Sequence, residues 1–587
     1  MPDPAELSRR DLIAAVSAVG AAAALGISSK ASAAPVAASG RAPTVARTAA
    51  ERSVARAAMT KPHGGDLGAV EHIVFLMMEN RSYDHYFGAY HKGRGFDDHP
   101  KHSLRSFAQS YPAGTALSPR RKLLPFHLSA DAGEDCTHDL SHDWGPQHEC
   151  WNHGRMDRFV VTHTGKALEG VPDGALTMGY FARRELPLYW ALADHFTLLD
   201  GYHCSVLGPT HPNRLMSLTG TIDPAGHHGG PITDTSPDPT LRWSCDWPTV
   251  PEILEDHGVS WKVYHPSFLD AAPKRLNLAQ YPTWDPVLYN PNLNPIVMLA
   301  TDNVLPYFRT FEKSGTPLHH KAFDPTFPGQ FGRDVRRGQL PSVSWIIPPL
   351  GFDDHPSTSP ERGQWFVQLV LDALTANPKV WSKTVLFLMY DENDGWFDHV
   401  PPPTPSRHAA GEWLTAAKIS SKTYGIRGPV GLGMRVPAIM ISPFSRGGHV
   451  VSTTYDHTSQ LRLLEERFGI RVPAISHWRR ITVGDLTHAL FRGHHDASMP
   501  ALPRVKQTPF TLSGSCSDVN QETNFGGASP ALPTRQRMPT QHGTTVAASR
   551  YFKPAETAQA AVPLRSGRST ATEKSRHNAL AEGRRAG

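Results

Sequence analysis

Four apolar runs constrain this chain most: residues 71–78, Ser342–Ile347, Thr384–Tyr390 and Val436–Ile441. Each has the length of a strand and lacks polar alternation, so both of its faces must be covered. Helical periodicity lies between them. Trp365, Phe366, Leu369, Val370 and Leu374 recur at three- and four-residue steps within Glu361–Ala376, and Leu461, Leu463, Leu464 and Phe468 repeat the pattern within Ser459–Phe468, closed by Gly469. Strands alternating with helices predict an α/β sandwich with a central, mostly parallel sheet. The 52 prolines and 48 glycines predict long ordered loops, and residues 92–170 and 221–250 read as insertions that carry them.

The ends read differently. Ser8-Arg9-Arg10-Asp11-Leu12 precedes a small-residue apolar run from Ile13 to Leu25, followed by Ala31-Ser32-Ala33. The run is shorter than the roughly 17–25 residues of a membrane span, and it predicts a twin-arginine signal peptide over 1–33. The expectation is secretion to the extracellular side through the twin-arginine export machinery, with the protein already folded. Residues 34–68 read as a flexible linker, 69–551 as the catalytic domain and 552–587 as a basic, disordered tail. Net charge is +5, but residues 34–60 carry +3 and 552–587 carry +4, which leaves about −2 on residues 61–551. A nucleic-acid footprint would lie on the folded body, so no nucleic acid is expected as a partner. The basic tail raises peripheral contact with an anionic membrane surface, against the alternative of a solvated end.

Cys136, Cys150, Cys204, Cys245 and Cys516 form no CxxC pair, which argues against a thiolate zinc site. In an oxidising compartment Cys136–Cys150 and Cys204–Cys245 are the candidate bridges, although connectivity does not follow from sequence.

Two of the apolar runs end in carboxylate-bearing pairs, Glu79-Asn80 and Asp391-Glu392. Ligands collect beyond the carboxyl ends of strands in open α/β sheets, so the two pairs suit a cation site. Their oxygen donors favour Ca²⁺, Mg²⁺ or Mn²⁺, with iron and zinc as remaining candidates. Either pair alone would equally serve as a turn cap. Thr210, in Gly208-Pro209-Thr210-His211-Pro212-Asn213-Arg214, precedes the apolar stretch Leu215–Leu218. A threonine there suits a metal-activated nucleophile or, more commonly, a helix N-cap. His142 and His355 are candidates to bind a phosphoryl oxygen or protonate a leaving group, although any one of 32 histidines is as easily structural. Trp144, Trp151, Trp243 and Trp396 are available as an aromatic wall for a cationic group, although aromatic residues beside a motif are more often packing.

These motifs, in this order, resemble the bacterial phospholipase C and acid phosphatase phosphoesterases, a family that includes the plant non-specific phospholipases C. The resemblance is carried by ENRSYDHYFG, HDW followed by WNHGRMD, GPTHPNR, DDHPS followed by RGQ, DENDGWFDHVPPP, GMRVPAIMISP and DHTSQLRLLEERFG, from about residue 70 to 470. It implies an alkaline-phosphatase-like α/β sandwich. It also implies metal ligation by Glu79, Asn80, Asp391, Glu392 and the Thr210 oxygen, with Thr210 as nucleophile and His142 and His355 around the phosphate. The DEND-G form favours a phospholipase C acting on phospholipid. Acid phosphatase and non-catalytic lipid binding are the alternatives.

Overall fold

Side chains from neighbouring strands meet at one edge of a single large sheet, and that edge fixes where chemistry can occur. The computed structural model describes residues 66–99, 103–111, 122–166, 171–235, 241–266, 302–349, 352–356, 359–491, 493–505, 532–533, 536–542 and 545–547. The signal peptide expected over 1–33, nearly all of the linker and the tail at 552–587 lie outside these residues.

The sheet contains β1 (His72–Met78), β2 (Thr197–Leu199), β3 (Trp261–Pro266), β4 (Thr326–Phe327), β5 (Val343–Ile346), β6 (Thr384–Tyr390), β7 (Ala438–Ile441) and β8 (Val450–Val451), in the order β4-β3-β5-β1-β6-β7-β2-β8. Every neighbouring pair is parallel except the two made by β7, which runs antiparallel to both β6 and β2. All seven residues of β6 are buried, as are six of seven in β1. Continuous apolarity therefore reports burial on both faces, as expected for strands that interior helices cover. The fourth apolar run is shorter as a strand than its sequence suggests: Val436 N donates to Tyr202 O outside the ladder, beside the isolated bridge of Arg435 with His203.

The helices that matter for the site are α1 (Tyr83–Phe87), α2 (Trp144–Trp151), α3 (Pro187–His195), α4 (Thr210–Thr219), α5 (Pro360–Thr375) and α6 (His457–Phe468). In α5, Ser359 caps the N-terminus, Pro360 occupies the first turn, and Trp365, Phe366, Val370 and Leu374 are buried. Helix α6 begins two residues before the predicted start because Asp456 forms a capping box with Ser459; Gly469, at φ 65°, ends it.

The candidate disulfides do not form as expected. Cys136 is disulfide-bonded, whereas Cys150, Cys204 and Cys245 are buried, reduced thiols. Cys204 donates to Val206 O (3.5 Å) and Cys245 lies 3.7 Å from Ser244 Oγ, so each thiol is already packed within its own local segment.

Candidate active site and metal centre

Adjacent parallel strands deliver the site. Met78 of β1 is in register with Tyr390 of β6, so Glu79 and Asp391 leave the sheet side by side. The pairing continues past the strands: Asp391 N donates to Met78 O (3.1 Å), Asn80 N to Asp391 Oδ1 (3.1 Å), and Arg81 N to Glu392 O (3.1 Å). On the other side of β1, the loop after β5 brings in Asp353, whose carbonyl accepts from Glu79 N (2.7 Å). Glu79, Asp302 and Asp353 each offer an oxygen within 4.8 Å of the others. Three consecutive strands, β5-β1-β6, thus end in one acidic pocket at their carboxyl edge, the position that open α/β sheets leave for ligands.

A second acidic group adjoins the first. His142 Nδ1 lies 2.8 Å from Asp394 Oδ1 and 3.5 Å from Asp139, and its Nε2 lies 3.8 Å from Glu392 Oε1. Glu392 Oε2 accepts from Asp394 N and from Gln147 Nε2 of α2. His355 N donates to Asp353 Oδ1 (3.1 Å), and the His142 and His355 rings lie 6.4 Å apart. The sequence candidates Glu79, Asn80, Asp391, Glu392, His142 and His355 therefore converge.

Thr210 is positioned by its helix. It is the first residue of α4, and Pro209, not Thr210, is the N-cap. Among the described residues its hydroxyl is not used in capping. One turn on, Arg214 reaches Glu79 Oε1 (3.0 Å), Asp302 Oδ2 (3.4 Å) and Asp391 Oδ2 (3.7 Å). Residues four apart lie on one helix face, about 6 Å along the axis, so α4 presents Thr210 on the same face as Arg214.

Electrostatics set the pocket's requirement. Burial, with Asp302 and Asp353 beside it, pushes the Glu79 carboxyl well above its ordinary range. Burial raises Asp391 to about 6 and Asp353 to about 8, and it pushes Glu392 well up, with Asp391 and Asp394 adding to it. Arg214 alone offsets too little. For His142, burial opposes charging but Glu392, Asp394 and Asp139 together outweigh it and its pKa is raised, whereas burial lowers His355.

The donors also suit a hard cation. Asn80 is fully buried, yet among the described residues neither its amide oxygen nor its amide nitrogen has a hydrogen-bond partner; Asp391 Oδ2, Asp353 Oδ2 and Glu392 Oε1 likewise lack one there. Buried polar atoms are nearly always satisfied, and carboxylates stripped of water need a counter-charge. Asn80 holds φ 59°, a left-handed backbone that asparagine tolerates better than most residues. The residues fit a divalent ion.

Sequence reasoning missed Arg214, Asp302, Asp353, Asp394 and Asp139. Arg214, Asp353 and Asp394 stand inside the motifs GPTHPNR, DDHPS and DENDG, where adjacency to a candidate was the available signal. Asp302 has no local signal at all.

Other motif residues serve as support. Arg435 pairs with Asp84 (3.0 Å) and Asp398 (2.6 Å) and lies 4.4 Å from the Tyr83 ring centroid, while Asp84 Oδ2 meets His399 Nδ1 at 2.7 Å. Asp84, Asp398 and His399 have the spacing of metal ligands, but the Arg435 guanidinium already fills that role. The cluster clasps ENRSYDHYFG, FDHV and MRVP together. His457 meets the Asp391 carbonyl (2.6 Å) and Tyr202 OH (3.0 Å), which ties DHTSQ to the acidic pocket. Trp396, one of the four candidates for an aromatic wall, is fully buried and stacks on His85 at 3.7 Å; Trp144 stacks on His148. Both are packing residues.

Residues 70–471 match the Phosphoesterase family. Phospholipase C A of Mycobacterium tuberculosis is 38% identical over 519 residues, covering 84% of this chain and 92% of that protein. The non-hemolytic phospholipase C of Burkholderia pseudomallei is 38% identical over 511 residues, 83% of this chain and 67% of that protein. Non-specific phospholipase C3 of Arabidopsis thaliana is 23% identical over 472 residues, 76% of this chain and 78% of that protein.

Proposed function

The chain belongs to the Phosphoesterase family and is a phosphoric ester hydrolase, and on that premise we propose that it is an exported, metal-dependent phospholipase C that works through a phosphothreonine. The observation that carries this reading is the acidic pocket at the β5-β1-β6 edge, with the unpartnered Asn80 amide inside it and Arg214 of the Thr210 helix bound to its rim.

Glu79, Asn80, Asp391, Glu392 and the Thr210 oxygen would hold the ion, with Asp302 and Asp353 adding negative charge beside them. A divalent ion there supplies Lewis-acid charge that lowers the Thr210 hydroxyl's pKa and offsets charge on the phosphoryl oxygens. One imidazole of the pair His142 and His355 takes the Thr210 hydroxyl proton as Thr210 Oγ forms a bond to phosphorus, and the other gives a proton to the diacylglycerol oxygen as its bond to phosphorus breaks. The second imidazole then accepts a proton from water as water attacks phosphorus, and the first returns its proton to the Thr210 oxygen as the threonine–phosphorus bond breaks, which releases the phosphorylated head group and restores the hydroxyl. Phosphatidylcholine is the proposed substrate. No helix among the described residues is long and apolar enough to cross a membrane, and export is proposed on the twin-arginine segment at Ser8–Leu12.

Thr210→Ala is expected to reduce turnover to below about a hundredth of the parent value while the melting temperature of the metal-free protein stays unchanged, because the hydroxyl makes no capping bond in its helix. Retained turnover removes Thr210 from the chemistry. Rates on phosphatidylcholine and on an aryl phosphate monoester decide between the phospholipase and an acid phosphatase. A head-group product formed faster than phosphate from the monoester supports the phospholipase.

A further inference from the structure

The motif WNHGRMD takes no part in the chemistry above, and its backbone is unusual. Asn152, His153, Gly154 and Met156 all hold positive φ, at 42°, 56°, 80° and 53°. Asn152 Nδ2 donates to Asp157 Oδ1 (2.7 Å) and Arg155 donates to Asn152 Oδ1 (3.1 Å), which locks the turn from within. This left-handed turn ends α2 and forms one wall of a groove of about 620 Å³; the segment from Pro405 to Pro429 forms the other.

The groove is basic and aromatic. Trp151 and Trp413 line it with Arg158, Arg407 and Arg427, and among the described residues Glu149 is the one carboxylate that lines it. Arg407 lies 5.6 Å from the Trp413 ring centroid, and Arg427 donates to the Ala416 and Ala417 carbonyls. Among the described residues no carboxylate pairs with any of these three guanidiniums. Residues 61–551 carry a charge of about −2, so three such arginines in one groove are a local departure from the body's charge. Trp151 is 6% exposed, and among the described residues its indole N–H has no hydrogen-bond partner. Tyr424, one of two exposed large hydrophobic side chains among the described residues, packs on Gly145 of α2 near the same end of the 405–429 segment.

We propose that this groove is a docking surface for the phosphate head groups of an anionic membrane, separate from the acidic centre. Guanidinium forks match phosphate oxygens, and the exposed Tyr424 phenol is a ring with a polar tip of the kind that settles at the membrane–water boundary, while Trp151 is a buried part of the wall. Helix α2 is the shared wall. Gln147 faces Glu392 and the Asp394 carbonyl, while His148, the next residue, lines the groove and meets Pro429 O at 2.9 Å.

The test is sedimentation of the full chain with phosphatidylglycerol vesicles at moderate salt, in the presence of chelator so that lipid is not consumed. The double variant Arg158→Glu, Arg407→Glu is expected to lose at least about tenfold in vesicle partition, given the known contribution of single basic residues near anionic surfaces. Glu149→Lys, which adds charge in the opposite sense, is expected to raise partition several-fold. Melting temperatures and turnover of a soluble aryl phosphodiester are expected to match the parent in both variants, which separates docking from the hydrolysis reading. Unchanged partition in both variants overturns the proposal, because the same tail is present throughout. If soluble glycerol phosphate fully displaces the parent from vesicles at millimolar concentration, the groove recognises free phosphate and the membrane assignment fails.

Discussion

Arg214 sits between Glu79, Asp302 and Asp391, and its replacement separates two uses of positive charge in the pocket. Arg214→Leu leaves these carboxylates without their counter-charge, so the metal-free protein is expected to lose about 3–5 kcal/mol of stability. The same carboxylates then bind a divalent ion without a competitor. The rise in melting temperature on adding Mn²⁺ is therefore expected to exceed that of the parent, as differential scanning calorimetry would measure. An equal rise in both proteins would mean that Arg214 and the ion do not share ligands. Residues of this kind mark where sequence reading reached its limit. Glu79-Asn80 and Asp391-Glu392 were legible because each ends an apolar run, and a strand's end is where a sheet exposes side chains. Arg214 and Asp353 were visible only as neighbours of other candidates. Asp302, separated from Glu79 by more than two hundred residues, meets it only through tertiary packing.

Between elements, close approach replaces charge as the controlling term. Gly363, in the first turn of α5, faces Asp354, whose carboxylate accepts from Tyr189 OH (2.6 Å) and Tyr390 OH. A Cβ at position 363 would overlap that carboxylate. This explains why DDHPS and RGQ occur together: the glycine lets α5 seat the turn that carries Asp353 and His355. Gly363→Ala is expected to cost about 2–3 kcal/mol and to weaken metal binding with it, as chemical denaturation and a metal titration would show. The clasp at Arg435 gives a pH-dependent counterpart. Burial opposes charging of His399, but Asp84 and Asp98 outweigh it and its pKa lies above the ordinary 6.5. Stability from this protonated His399 is fully present below the unfolded value and is lost as pH rises through the folded one. His399→Gln is thus expected to be most destabilising near pH 5.5 and progressively less so on the alkaline side. A difference that grows with pH would show that His399 is held neutral. Strand and helix positions were legible in the sequence to within a few residues, because burial on both faces leaves continuous apolar runs. The reversed direction of β7 was not, since a buried strand has the same composition in either direction.

At the scale of the whole molecule, three neighbouring strands lead into one cluster of carboxylates, more than Arg214 offsets, and a bound cation would discharge the rest without protonation. Chelation is expected to abolish turnover and lower the melting temperature, and Mn²⁺, Mg²⁺ or Ca²⁺ to restore both, because ion binding is linked to the folded state alone. A protein that keeps its turnover after exhaustive chelation would not use an ion in its chemistry. The most direct test is anomalous diffraction from crystals of the Mn²⁺-loaded protein. The predicted map has a peak bounded by Glu79, Asn80, Asp391, Glu392 and the Thr210 hydroxyl, at oxygen–metal distances of about 2.2 Å. A peak at Asp84, Asp398 and His399 instead, or one from which Thr210 Oγ lies beyond reach, would contradict it.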